Sequence, residues 1–324
     1  MTARAYTGEF RAAVRLTGVT PEQVAGVLGS CLDGEDTYLT GSLSAGLGNA
    51  GSDIDLHVFV AGPAKGVVPM LFFAGRTRLD LVHYQAGAPG RVLAAAGQDG
   101  AGDDVPLLGG RCALGVPPGM TDLKRLSRWA TSVPLYDGSP PLFGPAELAR
   151  ISAVLVRSAL DLTVRAAAMA LVLQAAGSAL APLAWSRAAE AAVEVAVRAA
   201  GQIFIGEKWL PAKARHAGLP AAVLARARAV ESAAGYDEFV SGLGVPAGDP
   251  GSLVTLHRAD APEFTFVDRT YRLAGTRLLD APGPAAGSLA AALAGGGAAG
   301  LGEAISAGSV TLSADPGQID RRLK

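Results

Sequence analysis

Apolar and polar positions change rhythm three times along the chain. Thr20-Pro21-Glu22-Gln23 opens a helix, with Thr20 as N-cap, Pro21 at the first helical position and Gln23 closing a capping box. That helix runs to about Leu32. Short apolar runs follow: Tyr38-Leu39-Thr40, then Ile54, Leu56, Val58 and Phe59, then Val67 to Phe73, and a β-branched and aromatic run from Arg76 to Tyr84. These read as strands. Residues 86–120 are rich in Gly, Pro and Asp and predict loops, a helical piece near Pro89 to Gly97 and a strand near Pro106 to Leu114.

Helical periodicity takes over at about Thr121. Leu148, Ile151, Leu155, Ala159, Leu162 and Ala166 recur at three- and four-residue spacing. A second helix is predicted from Ala184 to about Ile205 and a third from Ala221 to Ala233. After about Gly251 the pattern changes again. Phe264 to Asp268 and Tyr271 to Gly275 predict short strands, Gly295 to Gly297 interrupts an Ala/Leu helix within a low-complexity stretch, and Asp320 to Lys324 is a polar end. The expected architecture is α/β (α+β): a small mixed sheet backed by helices in 1–120, an α-helical bundle in 121–245, and a small β/α module or tail in 246–324.

Composition narrows the function. A chain of 324 residues can bury a substantial core in two domains. Net charge is -1, which lacks the basic surface that proteins gripping a phosphate backbone need, so no nucleic-acid partner is expected. Cys31 and Cys112 make neither a disulfide framework nor a zinc set. Met1 to Arg11 has no apolar core of a secretion signal. Ala166 to Ser186 carries no charge, but it is mostly alanine with Gln174, Gly177, Ser178 and Pro182 inside it. Alanine drives insertion weakly, so a buried helix hairpin turning near Gly177 is expected, with no membrane span and a cytoplasmic location.

The chemistry is concentrated in one stretch. Gly41-Ser42 ends a strand, and after ten residues Asp53-Ile54-Asp55-Leu56 begins the next. Side chains i and i+2 of a strand share a face, so Asp53 and Asp55 point the same way. Two carboxylates that close favour a cation between them. Hard oxygen ligands suit magnesium, which is commonly shared with substrate phosphates. The glycine-serine turn offers backbone N–H groups with no side chain in the way. Phosphoryl or nucleotidyl transfer is the reaction class these residues predict.

Gly-Ser, about ten residues, then Asp-x-Asp resembles the signature of the DNA polymerase beta-like nucleotidyltransferase superfamily, and within it the small-molecule branch that includes aminoglycoside nucleotidyltransferases. The resemblance implies a third carboxylate on a later strand, for which Asp80 in Arg78-Leu79-Asp80-Leu81 is the candidate. It implies two magnesium ions held by Asp53, Asp55 and Asp80, and terminal phosphates held by Gly41 and Ser42. It also implies transfer of a nucleoside monophosphate, AMP from ATP first among the nucleoside triphosphates, onto a hydroxyl of a small molecule with release of pyrophosphate. The Gly206-Glu207-Lys208-Trp209 run is similar to ones in the helical domains of such enzymes, making Lys208 a candidate phosphate ligand.

Other residues have competing roles. Ser52 orders the loop or touches the nucleotide. His57 lies on the Asp55 face as a satisfied core histidine, His83 is on the opposite face from Asp80, and Glu190 and Glu194 line either an acceptor pocket or a solvated helix face. Between Ser42 and Asp53 there is no Arg or Lys, where relatives place one, so phosphate charge falls to Arg76, Arg78 or Lys208. That departure keeps two alternatives open: a catalytically weak or inactive nucleotide-binding regulator of the same fold, and an enzyme that adenylylates a protein. A homodimer completing the acceptor cleft is compatible with the sequence.

Overall fold

The computed structural model describes residues 4–32, 36–62, 69–98, 105–107, 110–112, 120–245, 250, 254–258, 263–266, 269–274, 277–280, 287–294, 301 and 310–314. The protein is mixed α/β, and the chain divides into two compact units: residues 1–103, 113–155 and 201–216 in the first, and 104–112, 156–200 and 217–324 in the second.

In the first unit, helices α1 (Gly8–Arg15) and α2 (Pro21–Leu28) precede strand β1 (Asp36–Thr40). The capping box forms: the Gln23 amide donates to Thr20 Oγ1 at 3.3 Å, and the Thr20 amide donates to Gln23 Oε1 at 2.8 Å. A short 3-10 turn, Gly29–Leu32, completes the helical segment expected to end at Leu32. Beyond β1 come a one-turn helix α3 (Gly41–Ser44), then β2 (Ile54–Val60), β3 (Met70–Ala74) and β4 (Thr77–Gln85). Helix α4 (Ala88–Gln98), a hairpin of β5 (Val105–Leu107) and β6 (Gly110–Cys112), helix α5 (Met120–Ala130) and strand β7 (Val133–Pro134) follow, the hairpin belonging to the second unit. The single strand expected between Pro106 and Leu114 is thus this pair of short ones, with Leu107 pairing with Gly110.

The sheet of the first unit has the order β3-β4-β2-β1-β7. Its one parallel pairing joins β2 to β4, and the others are antiparallel. Alternation along the strands gives the sheet two different faces. Ile54, Leu56 and Val58 of β2, with Leu79 and Leu81 of β4, join Phe10, Val14, Val24 and Leu28 of the first two helices in one core. On the other face Tyr38, Phe59 and Tyr84 pack with Leu93 of α4, with Leu123, Leu126 and Trp129 of α5, and with Ile151 and Leu155. That second core covers only part of its face. The rest carries the acidic residues.

Helix α6 (Pro145–Ala175) runs from the first unit into the second, and α7 (Ala181–Ala199) returns after a turn in which Gly177 has φ +66. The expected hairpin is therefore present, with α7 starting at Ala181 instead of Ala184 and stopping at Ala199 instead of near Ile205. Gly201, at φ +88, ends it. Residues 201–216, including the 3-10 turn Glu207–Trp209 and helix α8 (Leu210–His216), cluster with the first unit and not with the bundle they were expected to join. The third expected helix, Ala221 to Ala233, is α9 (Val223–Arg228), which stops at Arg228; α10 (Ala233–Gly242) was not expected, and Ser232 caps its start by accepting the Gly235 amide at 3.2 Å.

Within the second unit, alanines Ala188, Ala189 and Ala192 of α7 are fully buried, which lets neighbouring helices approach closely. Trp185 packs on Tyr236 with ring centroids 5.4 Å apart and donates to Gln174 Oε1 at 2.7 Å. The C-terminal part holds two small sheets. One is a meander of β9 (Glu263–Phe266), β10 (Arg269–Ala274) and β11 (Arg277–Asp280), and the other has β8 (Val254–Arg258) between β12 (Gly287–Ser288) and β13 (Val310–Ala314). Helix α11 (Leu289–Ala294) follows β12. The two expected strands are β9 and β10; Gly295 to Gly297 and Asp320 to Lys324 lie outside the described residues. Among the described residues no helix is long and apolar enough to cross a membrane.

Candidate functional site

The site begins where β1 ends. Thr40 pairs with Asp55 across the antiparallel β1–β2 ladder, and the next residue, Gly41, turns the chain at φ +81. Any side chain at Gly41 would collide with the Asp55 carboxylate. Only glycine allows both the left-handed backbone and this close approach. The turn expected at Gly41-Ser42 is the one-turn helix α3, closed by the Leu47 amide donating to the Ser42 carbonyl at 2.9 Å. Ser52 has a loop-ordering contact, its hydroxyl accepting the Asn49 amide at 3.0 Å.

Parallel pairing of β2 with β4 puts Asp55 directly opposite Asp80, and Asp53 lies just ahead of β2 on the same face. The three sequence-predicted acids therefore converge. Among the described residues, however, no three His, Cys, Asp or Glu side chains are drawn together closely enough to hold a metal ion as they stand. Arg78 reaches between the outer two acids, 2.6 Å from Asp53 Oδ2 and 2.9 Å from Asp80 Oδ2. With 45% of its side chain exposed, this guanidinium sits at the rim, where such pairs contribute about 0–1 kcal/mol.

Asp55 is the most buried of the three, with 20% of its side chain exposed. Burial first, then the charges of Asp80 and Asp53, push its carboxyl up to about 6, against the opposing pull of Arg128 and Arg78. Positive charge is thus in short supply at the innermost carboxylate. Hard oxygen donors from two adjacent strands and an under-compensated Asp55 are a donor set that fits a divalent cation. Such an ion would be held by Asp53, Asp55 and Asp80, with Arg78 displaced from between the outer pair.

Two basic residues of α5 stand at the site, and the sequence did not point to them. Arg128 approaches Asp55 Oδ1 at 4.0 Å, and Arg125 lies over the Tyr84 ring at 5.9 Å from its centroid. Spaced three apart, they share a face of α5, which was the available signal. Nothing local says that this face meets β2. The anchor is Trp129, whose indole N–H donates to His57 Nδ1 at 2.8 Å inside the aromatic cluster. His57 is the satisfied core histidine expected from its position. Burial, with Arg128 and Arg125 adding to it, holds its imidazole down to about 3, so the ring is neutral with its proton on Nε2.

Lys208 is exposed and lies over the Trp209 ring at 5.1 Å; no described contact brings it to the carboxylates. Glu190 takes up ion pairs with Arg187 and Arg228, both at 2.8 Å, and Glu194 pairs with Arg198, so the two glutamates serve the packing of the second unit. No protein-family model matches this chain, and no curated protein matches it in sequence.

Proposed function

We propose that the protein is a magnesium-dependent nucleotidyltransferase of the DNA polymerase beta-like superfamily, moving a nucleoside monophosphate from a triphosphate, ATP first among them, onto a hydroxyl of a small molecule. The observation that carries the reading is the register of β2 on β4, which sets Asp55 against Asp80 beside a glycine turn that admits no side chain. Magnesium bound by Asp53, Asp55 and Asp80 would neutralise the triphosphate and polarise its α-phosphorus.

The chain's own residues account for the rest. Backbone N–H groups at Gly41 and Ser42 receive the terminal phosphates. Arg128 and Arg78, which stand at the carboxylates, would supply the positive charge missing between Ser42 and Asp53. Asp80 orients the acceptor hydroxyl and takes its proton as the oxygen attacks. The acceptor oxygen then bonds to the α-phosphorus as the bond to the β-phosphate bridge breaks, and pyrophosphate leaves. Positioning and charge neutralisation are the main sources of rate. The test is pyrophosphate release from each ribonucleoside triphosphate with magnesium against hydroxylated acceptors, in the wild type and in Asp55→Ala. Release that persists in Asp55→Ala refutes the mechanism. Magnesium-dependent triphosphate binding without release in any combination favours the regulatory alternative.

A further inference from the structure

We propose that the outer face of β3, formed by Leu71 and Phe73, is the acceptor subsite, and that it takes a hydroxylated molecule with an apolar ring or chain. The inference rests on the nucleotidyl-transfer reading and names its second substrate.

Met70 and Phe72 of β3 turn toward the core, whereas Leu71 and Phe73 are 56% and 58% exposed. Leu71 pairs with Asp80 and Phe73 with Arg78 across the β3–β4 ladder. Directly paired residues project from the same side of a sheet, so both apolar side chains share the face of the carboxylates. Edge strands are ordinarily blunted by charge. A leucine and a phenylalanine left together on an edge, beside charged residues, mark a contact surface.

The sheet order says which substrate it contacts. From β1 outward the face carries the Gly41–Ser42 turn, then Asp53 and Asp55 at β2, Asp80 on β4, and Leu71 with Phe73 on β3. Adjacent strands are about 4.8 Å apart, so β3 lies roughly 14 Å from the phosphate turn. Phosphates at β1 and β2 leave the acceptor hydroxyl to meet Asp80 from the other side. The body of the acceptor then extends over β3. Leu71 and Phe73 offer apolar surface with no hydrogen-bonding side chain, and β3 itself carries neither acid nor base. A hydroxyl-rich aminosugar finds no polar partner there, whereas an apolar ring finds a shelf.

The test uses the full chain with methyl-labelled leucine, 4-hydroxybenzyl alcohol as the probe with an apolar ring and kanamycin as the probe whose rings carry only polar substituents. The alcohol should shift the Leu71 methyl signals saturably, with affinity about tenfold weaker in Phe73→Ser, and kanamycin should leave them unmoved. Equal affinity in Phe73→Ser, no saturable shift from the alcohol, or a Leu71 shift from kanamycin overturns the subsite. Calorimetry of magnesium-ATP in both proteins separates the two readings. Binding retained while the subsite fails leaves nucleotidyl transfer standing; no binding in the wild type removes that reading and the acceptor role with it. A concentration-dependent dimer that Phe73→Ser dissociates in sedimentation also overturns the proposal, assigning the edge to a second copy.

Discussion

The Trp129 indole donates to His57 Nδ1 at 2.8 Å, two residues along β2 from Asp55. This bond ties α5 to the sheet at the position where Arg128 meets Asp55. Trp129→Phe leaves a buried acceptor without a partner, a loss of about 1–3 kcal/mol. Denaturant unfolding should show that loss, and magnesium-ATP affinity should weaken in the folded variant as Arg128 drifts. Unchanged stability would mean that the bond contributes nothing.

His57 gives stability a direction in pH. Its folded value, about 3, lies below the ordinary 6.5, so between those values the unfolded chain binds more protons. Its contribution is complete above 6.5 and is lost as pH falls toward 3. The loss is about 2 kcal/mol between pH 6.5 and 5. Urea unfolding of the wild type and His57→Gln at several pH values reads this directly, as a shallower pH slope in the variant.

Asp55 acts in the opposite sense. Its folded value, about 6, lies above the ordinary 3.8, so without metal the folded state binds the extra proton and stability falls as pH rises through that window. Asp55→Asn should therefore stabilise the metal-free protein at pH 7.5 by on the order of 2 kcal/mol and make little difference at pH 4. It should also abolish turnover. Thermal unfolding in chelator, at both pH values, checks the first claim.

Gly41→Ala tests the turn. The residue has φ +81 and no room beside the Asp55 carboxylate. Alanine there should cost at least about 1–2 kcal/mol and weaken triphosphate binding by more than tenfold, roughly the effect of removing a close backbone contact. Calorimetry and thermal unfolding measure the two effects separately.

Arg78 stands between Asp53 and Asp80, where a cation would bind. In Arg78→Gln the competing charge is gone. Manganese binding without nucleotide, read by electron paramagnetic resonance, should tighten several-fold, while triphosphate affinity in the presence of metal should fall. Weaker manganese binding in the variant would show that Arg78 supports the metal site instead of guarding it.

Much of this molecule is legible from sequence because the relevant physics is local. Thr20, Pro21 and Gln23 act within one helical turn, and the capping box forms as read. Alternation over Ile54 to Phe59 separates Ile54, Leu56 and Val58 from Asp55, His57 and Phe59 whatever the strand pairs with. Gly41-Ser42, Asp53 and Asp55 lie within one short stretch, so the acids and the turn could be found together. Local reading failed on the Ala-rich run from Ala221, expected to stay helical to Ala233: the helix stops at Arg228, and Ser232 captures the Gly235 amide to start another that was not expected.

Pairing is different in kind. That Asp80 faces Asp55, that Leu71 lies beside Asp80, and that Arg128 comes to Asp55 from α5 are consequences of which strand and which helix lie next to β2. The sequence by itself determined the residue types, their faces and the turn that only glycine can make. Tertiary structure alone decided their neighbours, because register and packing are set by covering one face of a sheet and part of the other at once, a sum over distant residues that no local pattern contains.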